Sequence, residues 1–170
     1  TPQALRARGV EFVQTDRGGD ITFHGPGQLV AYPIVRLIDH KLSVGGYVKA
    51  LQRAVIATLG DFGIVAFTDD AGIGVWTSSR RARDKESGAE APGLSAKIFA
   101  IGVRVTRGIT LHGLALNVTT DLSYYDLIVP CGIADKPVTS MYQILGPACP
   151  AMEAVKVKLV ANLRNAITPI

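Results

Sequence analysis

The spacing of apolar residues predicts two helices, one in the first half of the chain and one at its end. Apolar side chains recur every three or four residues at Val44, Val48, Leu51, Val55 and Leu59, which is the period of an amphipathic helix. Ser43 is a suitable N-cap, and Gly60 or Gly63 a suitable end. The same period over 150–167 places Val155, Leu159, Leu163 and Ile167 on one stripe, with Pro150 near the first turn.

A second pattern, of β-branched and aromatic residues bounded by glycine and proline, predicts strands. In the first half of the chain it covers 11–14 and 21–37, interrupted by Gly18-Gly19 and Gly25-Pro26-Gly27 as turn signals. Tight turns therefore join the strands predicted here.

Three further strands are predicted downstream. One is short, at 74–76, and two longer ones at 97–106 and 109–118 flank Arg107-Gly108 in the layout of an antiparallel hairpin. Strands interspersed with helices, with at least one hairpin, indicate an α+β fold in which a mixed or antiparallel β-sheet packs against helices.

The composition indicates a single domain. The chain has 170 residues, of which 48% are hydrophobic, enough for one well-packed core and too few for two. We therefore predict one domain over 1–170. Residues Thr77 to Ala96 are polar and of mixed charge, so this stretch is predicted to be a flexible insertion away from the chemistry.

Several classes of protein are disfavoured. No apolar run approaches the ~18 residues of a membrane span, and the first residues lack the apolar segment of a secretory signal. The formal charge of +4 is modest, and the basic residues are not interleaved with aromatic ones, so we expect no nucleic acid partner, although an acidic protein would be attracted. There is no P-loop or G-x-G-x-x-G, which disfavours a nucleotide fold.

The two cysteines are expected to be reduced thiols, because a chain of this size needs no disulfide. Cys131 lies between Pro130 and Gly132, on a tight turn that suits an exposed nucleophile. The alternative for any such cysteine is a small buried hydrophobe, and that is our interpretation of Cys149.

A nucleophilic thiol needs a partner that removes its proton. Lys97 opens an apolar run, and a partly desolvated lysine is a usable base, although a strand-end lysine that reaches to water is the simpler alternative. His24 and His112 are competing bases, since each begins a His-Gly pair. With His40 in an ordinary polar loop and no Cys-x-x-Cys, no metal site is expected.

Taken together and in order, the motifs resemble the lipoyl(octanoyl) transferase family, octanoyl-[acyl-carrier-protein]:protein N-octanoyltransferase. The matching stretches are DRGGDITFHGPGQL at 16–29, GVW at 74–76, KIFAIGV at 97–103, HGLALN at 112–117 and PCGI at 130–133. The resemblance implies the catalytic domain shared by lipoate- and biotin-protein ligases.

The resemblance also implies roles for particular residues. Cys131 is the acyl-thioester nucleophile and Lys97 the residue that helps to form its thiolate. Three segments match the substrate-binding parts of the family: Arg17, Gly18, Gly19, Asp20, Ile21, Thr22, Phe23 and His24; then Ala100, Ile101 and Gly102; then Gly113, Leu114 and Ala115. We further expect an apolar tunnel for the acyl chain between the Gly18-Gly19 segment and the strand of Lys97.

The implied reaction transfers an octanoyl or lipoyl group from acyl carrier protein, through the cysteine thioester, to a lysine of a lipoyl domain. The implied acceptors are the lipoyl domains of 2-oxoacid dehydrogenases and the glycine cleavage H protein, in the bacterial cytoplasm or the mitochondrial matrix. No cofactor is expected, because a thioester carries its own driving force. Backbone N–H groups or His24 are the candidate donors to the oxyanion.

Two alternatives stay open: an ATP-dependent lipoate- or biotin-protein ligase on the same fold, and an inactive protein-binding domain. The chain also departs from the family pattern in two places. It starts without the strand and helix segment expected before Thr1, and its polar stretch at 77–96 is longer than the expected turn.

Overall fold

The computed structural model describes residues 2–69, 72–78, 95–128 and 137–168. The strands are β1 (Gln28–Ala31), β2 (Ala66–Asp69), β3 (Gly72–Ser78), β4 (Ser95–Thr106) and β5 (Ile109–Asn117). The helices are α1 (Pro2–Ala7), α2 (Val44–Asp61), α3 (Met141–Leu145) and α4 (Met152–Ile167). Short 3-10 helices cover Leu37–His40, Leu122–Leu127 and Gly146–Ala148.

The five strands form one sheet in the order β1-β5-β4-β3-β2, and every neighbouring pair is antiparallel. The predicted hairpin is confirmed as β4 and β5, which are joined by Arg107 and Gly108, both with positive φ. Two residues of this conformation make the turn whose twist matches that of the strands. The α+β prediction is therefore confirmed.

Both predicted helices are present. The Ser43 hydroxyl accepts a hydrogen bond from the Gly46 N–H at 3.0 Å and caps α2, and Gly63, with φ 76°, follows its end. In α4 the predicted stripe of Val155, Leu159, Leu163 and Ile167 is buried. The two helices pack on each other, and α2 also contacts β2, β3 and β4. In the described residues, no helix has both the length and the apolar character needed to cross a bilayer.

The strand prediction for the first half of the chain is wrong for most of its residues. Residues 11–14 and 21–27 form no strand, and β1 is limited to Gln28–Ala31. The segment 8–27 instead lies beside the sheet as a loop, held by single hydrogen bonds such as the Gly18 N–H to the Val103 carbonyl at 3.0 Å. Pro33 contributes to the early end of β1, because proline has no N–H for the ladder.

The predicted insertion at 77–96 is too wide at both ends. Thr77 and Ser78 belong to β3 and pair with Ala96 and Ser95 of β4, so these four residues are strand. Residues 79–94 lie outside the described part of the chain. Three helices or strands had no sequence prediction that matched them, α1, β2 and α3.

Large and small residues alternate along β4 and β5. Phe99 faces Leu116 and Ile101 faces Leu114 across the ladder, and these four pack into the core with α2 and α4. The pairs that alternate with them, Ala100 with Ala115 and Gly102 with Gly113, fall on the opposite face because strand side chains alternate. One face of the hairpin therefore packs into the core, and the other face has small residues at these positions.

Candidate active site

An open pocket of about 400 Å³, counting its part open to solvent, lies over the small-residue face of β4 and β5. Three predicted segments that are distant in sequence line it together. The lining residues are Arg17, Asp20, Thr22 and His24 from the loop, Ala100, Ile101 and Gly102 from β4, Gly113, Leu114 and Ala115 from β5, and two further residues, Tyr32 and His112. Ten of these lining residues belong to the three substrate-binding segments that the resemblance implied.

Alternation also decides which residues of the loop face the pocket. Asp20, Thr22 and His24 line it, whereas Phe23 points to the other side. The Phe23 ring stacks on Tyr124, with ring centroids 4.9 Å apart, and meets Tyr125 edge-on at 5.7 Å. Neither Phe23 nor Ile21 is among the lining residues. Phe23 joins the loop to the 3-10 turn at Leu122–Leu127, which is a structural contact.

The Arg17 guanidinium is directed at its own loop. It donates to the Gly18 carbonyl at 3.1 Å and to the Asp20 carbonyl at 2.7 Å. Both hydrogen bonds rigidify the turn, and Arg17 also lines the pocket.

The expected tunnel is also misplaced. Gly18 hydrogen bonds directly to Val103 of β4 at 3.0 Å, so no channel separates the Gly18-Gly19 segment from that strand at this point. Gly18 and Gly19 do not line the pocket, which instead lies beside residues 20–24 and is open.

Gly113 lets the edge strand approach the floor of the pocket. A Cβ on this residue would collide with the Ala31 carbonyl of the neighbouring strand. The side chain of any other residue would therefore disrupt the β1–β5 ladder or shift the pocket floor.

Lys97 reaches the same face as the pocket floor because of an irregularity in β4. Val75 pairs with Phe99 and Trp76 with Lys97, so one step on β3 matches two steps on β4, with Ile98 as the extra residue. Such a bulge reverses the alternation of the strand. Lys97 consequently lies on the face opposite Phe99, over the Trp76 ring with Nζ 5.3 Å from its centroid.

Gly74 leaves the space that the Lys97 side chain occupies. A Cβ on Gly74 would come within 2.7 Å of Lys97 Cε and 2.9 Å of the Phe99 carbonyl. The Lys97 backbone is held as well, because its N–H donates to the Pro137 carbonyl at 2.8 Å and its carbonyl accepts from Thr139 N–H at 2.9 Å. Residues 137–139 therefore lie beside the Lys97 backbone.

Two polar residues near the pocket had no sequence-based role, Gln28 and Asn117. His24 Nδ1 lies 2.7 Å from Gln28 Oε1, and Gln28 Nε2 donates to Asn117 Oδ1 at 2.9 Å. Asn117 is 2% exposed. Gln28 precedes the apolar residues Leu29-Val30-Ala31, and Asn117 lies between Leu116 and Val118. A polar residue in such an apolar run was the sequence feature that could have indicated a role for each.

His112 is held by an acidic partner. Its Nε2 lies 2.9 Å from Asp16 Oδ1, and Arg104 pairs with the other oxygen of the same carboxylate. The ring also meets Tyr32 edge-on at 5.8 Å. His112 therefore ties the loop to the hairpin, and its Nε2 is engaged.

Cys131 lies outside the described residues, as does its whole motif at 130–133. Cys149 is free, half-buried and packed against the core, and burial raises the pKa of its thiol. This fits the interpretation of Cys149 as a small hydrophobe. Among the described residues, no cluster of side chains suits a metal ion.

Comparison with solved structures defines the class of fold. The chain superposes with a TM-score of 0.67 on a bipartite lipoate protein ligase from Thermoplasma acidophilum, at 15% identity, over 98% of this chain and 61% of that one. It also superposes on the biotin protein ligase of Aquifex aeolicus, with a TM-score of 0.52 and 14% identity, over 83% of this chain and 50% of that one. The fold is that of lipoate and biotin protein ligase catalytic domains.

Comparison of sequences defines the family. The lipoyl protein ligase A/B catalytic domain matches residues 1–164, and the chain belongs to this family. It is 48% identical to the octanoyltransferase of Chloroflexus aggregans over 164 residues, which are 96% of this chain and 67% of that protein. It is 47% identical to the octanoyltransferase of Koribacter versatilis over 157 residues, 91% of this chain and 57% of that protein. The chain thus spans little more than half the length of the latter.

Proposed function

We propose that the chain is the catalytic part of a protein octanoyltransferase in lipoate biosynthesis. The observation that carries the proposal is its 48% identity to the Chloroflexus aggregans octanoyltransferase over 96% of the chain. The open pocket over a floor of Ala100, Gly102, Gly113 and Ala115 supports it, because an acyl chain requires a concave, largely apolar wall.

The proposed chemistry has two half-reactions. In the first, Lys97 takes the proton of the Cys131 thiol, and the thiolate adds to the carbonyl carbon of the carrier thioester. The carrier thiol leaves with that proton, and an acyl-enzyme results. In the second, the acceptor amine forms a C–N bond to the acyl carbon and gives one proton to Lys97 or a neighbouring group. The C–S bond of the acyl-enzyme breaks, and the Cys131 thiolate leaves and takes up that proton. The position of Lys97 on the pocket face supports its part in the first step.

The proposed donor is octanoyl-acyl carrier protein. The proposed acceptors are the lipoyl domains of 2-oxoacid dehydrogenases and the glycine cleavage H protein. A formal charge of +4 favours encounter with acidic proteins of this kind.

The test is the intact mass of the protein after incubation with octanoyl-acyl carrier protein. One added octanoyl group is expected, lost on Cys131→Ala and kept on Cys149→Ala, which is the matched control for a second thiol. An adduct that survives Cys131→Ala would contradict the thioester on Cys131.

The same assay separates the rival on this fold. Structures of this class include a lipoate-protein ligase A bound with ATP, which superposes with a TM-score of 0.63. An octanoyltransferase should acylate its acceptor from the carrier thioester without nucleotide. Acylation that requires free octanoic acid and ATP would instead identify a ligase.

A further inference from the structure

A chain of hydrogen bonds connects the backbone beside Lys97 to the ring of His24. Thr139, whose N–H donates to the Lys97 carbonyl at 2.9 Å, accepts through its own carbonyl from Asn117 Nδ2 at 3.1 Å. Asn117 Oδ1 then accepts from Gln28 Nε2 at 2.9 Å, and Gln28 Oε1 lies 2.7 Å from His24 Nδ1. This series of hydrogen bonds therefore leads from the Lys97 carbonyl to the pocket through the side chains of Asn117 and Gln28.

Each amide in this chain has one possible orientation. A backbone carbonyl can only accept, so the Asn117 atom that faces Thr139 is its NH₂ group, and Asn117 Oδ1 faces Gln28. The Gln28 atom 3.2 Å from the Phe23 carbonyl must likewise be NH₂. Gln28 Oε1 is left beside His24, and an amide oxygen accepts, so His24 Nδ1 must carry the hydrogen.

We infer that Gln28 is a positioning residue that holds His24, a residue of the pocket lining, in its Nδ1–H tautomer. In this tautomer the Nε2 atom of His24 is a hydrogen-bond acceptor. Tyr125 supports this arrangement, because its hydroxyl lies 3.1 Å from Gln28 Nε2 and 3.3 Å from Asn117 Oδ1. Asn117 at the centre is buried, and low exposure strengthens such a network.

The tautomer decides what neutral His24 does. Without a hydrogen on Nε2 it does not donate to an oxyanion from that atom, so of its two candidate roles it is left with accepting a proton. His112 has the opposite tautomer, because the Asp16 carboxylate accepts from its Nε2 at 2.9 Å. Of the two histidines that line the pocket, His24 is therefore the one whose Nε2 is an acceptor.

The consequence for catalysis rests on the proposed function. In the second half-reaction the neutral acceptor amine forms its C–N bond to the acyl carbon and gives one proton to His24 Nε2. The C–S bond breaks, its electron pair leaves with sulfur, and the imidazolium returns the proton to that thiolate. Gln28 acts through His24 and touches no reacting atom in this step.

The primary test needs no substrate, so it is independent of the proposed function. Ring nitrogens of ¹⁵N-histidine protein are assigned by NMR about two pH units above the ordinary histidine pKa of ~6.5. His24 should show the protonated nitrogen at Nδ1 and His112 at Nε2. His40 is an internal reference, because its Nδ1 lies 3.1 Å from the Ile167 carbonyl, a pure acceptor. A parent spectrum with His24 protonated at Nε2 would overturn the inference.

Gln28→Leu should change the His24 signals to an average of both tautomers, with His40 and His112 unchanged. Asn162→Leu is the matched control, since it also removes an amide, one that donates to Thr58 and Asp61 at 3.1 and 3.2 Å between α2 and α4. The control should leave His24 at Nδ1–H. A Gln28→Leu protein in which His24 keeps its Nδ1–H signal would show that Gln28 does not set the tautomer.

A kinetic test then addresses the step. Transfer from preformed acyl-enzyme to a lipoyl domain should fall about 10–100-fold in Gln28→Leu, the range found for side chains that orient metal-bound histidines, while formation of the acyl-enzyme is unchanged. A loss confined to acyl-enzyme formation would contradict the assignment to the amine step. If no octanoyl transfer occurs even in the parent, the proposed function fails while the NMR result still stands.

Discussion

At the scale of single residues, the position of Lys97 depends on one extra residue in β4 and one missing side chain in β3. The bulge at Ile98 turns Lys97 away from the core face that holds Phe99, and Gly74 leaves room for its stem. An ordinary strand-end lysine requires neither feature. The geometry therefore agrees with a placed side chain, although the role of base stays a prediction.

Lys97→Met tests that role, because methionine preserves much of the stem and removes the amine. Acyl-enzyme formation at neutral pH should fall by the ~10²–10⁴-fold attributed to a positioned acid or base, with partial recovery as the pH rises and hydroxide forms the thiolate. Rapid-quench measurement of the octanoyl adduct gives the rate. Lys49→Met, at an exposed position on α2, is the control, and a parent-like rate in Lys97→Met would move the role to another residue.

Cys149 should be a poor nucleophile. Burial raises the pKa of its thiol, so its thiolate fraction at neutral pH is lower than that of a free cysteine and grows as the pH rises toward that pKa. In Cys131→Ala protein, alkylation by iodoacetamide near pH 7 should be slow and should accelerate with pH. Denatured protein, in which the burial is lost, should react faster at the same pH; equal rates in both forms would contradict the effect of burial.

At the scale of elements, the predictions are correct for the helices with a long run of regularly spaced apolar residues and for the hairpin with a specific turn. Helix α2, with its Ser43 cap, and the Arg107-Gly108 hairpin appear as expected. The residues around 21–27 look like a strand by composition, but their backbone forms only single hydrogen bonds to a distant part of the chain, such as those that the Gly27 carbonyl accepts from the Val118 and Thr119 N–H groups. Local composition contains no information on such contacts. Gln28 and Asn117 are a different case, because each is a polar residue in an otherwise apolar run, but that signal does not reveal their hydrogen-bond partners.

The predicted insertion now has a sharper test. Ser78 and Ser95 are paired directly across β3 and β4, so a two-residue Asn-Gly turn can replace residues 79–94. That protein should keep its thermal midpoint within a few degrees and form the acyl-enzyme at the parent rate. Deletion of the whole of 77–96 should be destabilising, since it removes two strand pairs and the buried Thr77 and Ala96. Loss of acylation in a folded 79–94 replacement would place this stretch in the site.

At the scale of the whole molecule, the sheet separates stability from chemistry. One face packs Phe99, Leu114 and Leu116 against α2 and α4, and the other presents Ala100, Gly102, Gly113 and Ala115 to the pocket. Burial of large apolar groups on the first face supplies the folding free energy. The small side chains at these four positions leave room for a ligand.

This division predicts opposite effects for two substitutions. Leu159→Ala, in the packed helix layer and 2% exposed in the parent, should lower the free energy of unfolding by about 2–5 kcal/mol and leave the acyl-chain preference of the folded fraction unchanged. Ala100→Leu should cost much less stability, because it lies on the open pocket face, and should fill space that an octanoyl chain needs. Its ratio of octanoyl to acetyl transfer should therefore fall, since each CH₂ kept out of an apolar site forfeits ~0.8 kcal/mol. Denaturant unfolding and paired assays with octanoyl and acetyl donors measure the two effects. If Ala100→Leu retains the parent's chain-length ratio, the acyl chain does not bind over this part of the floor.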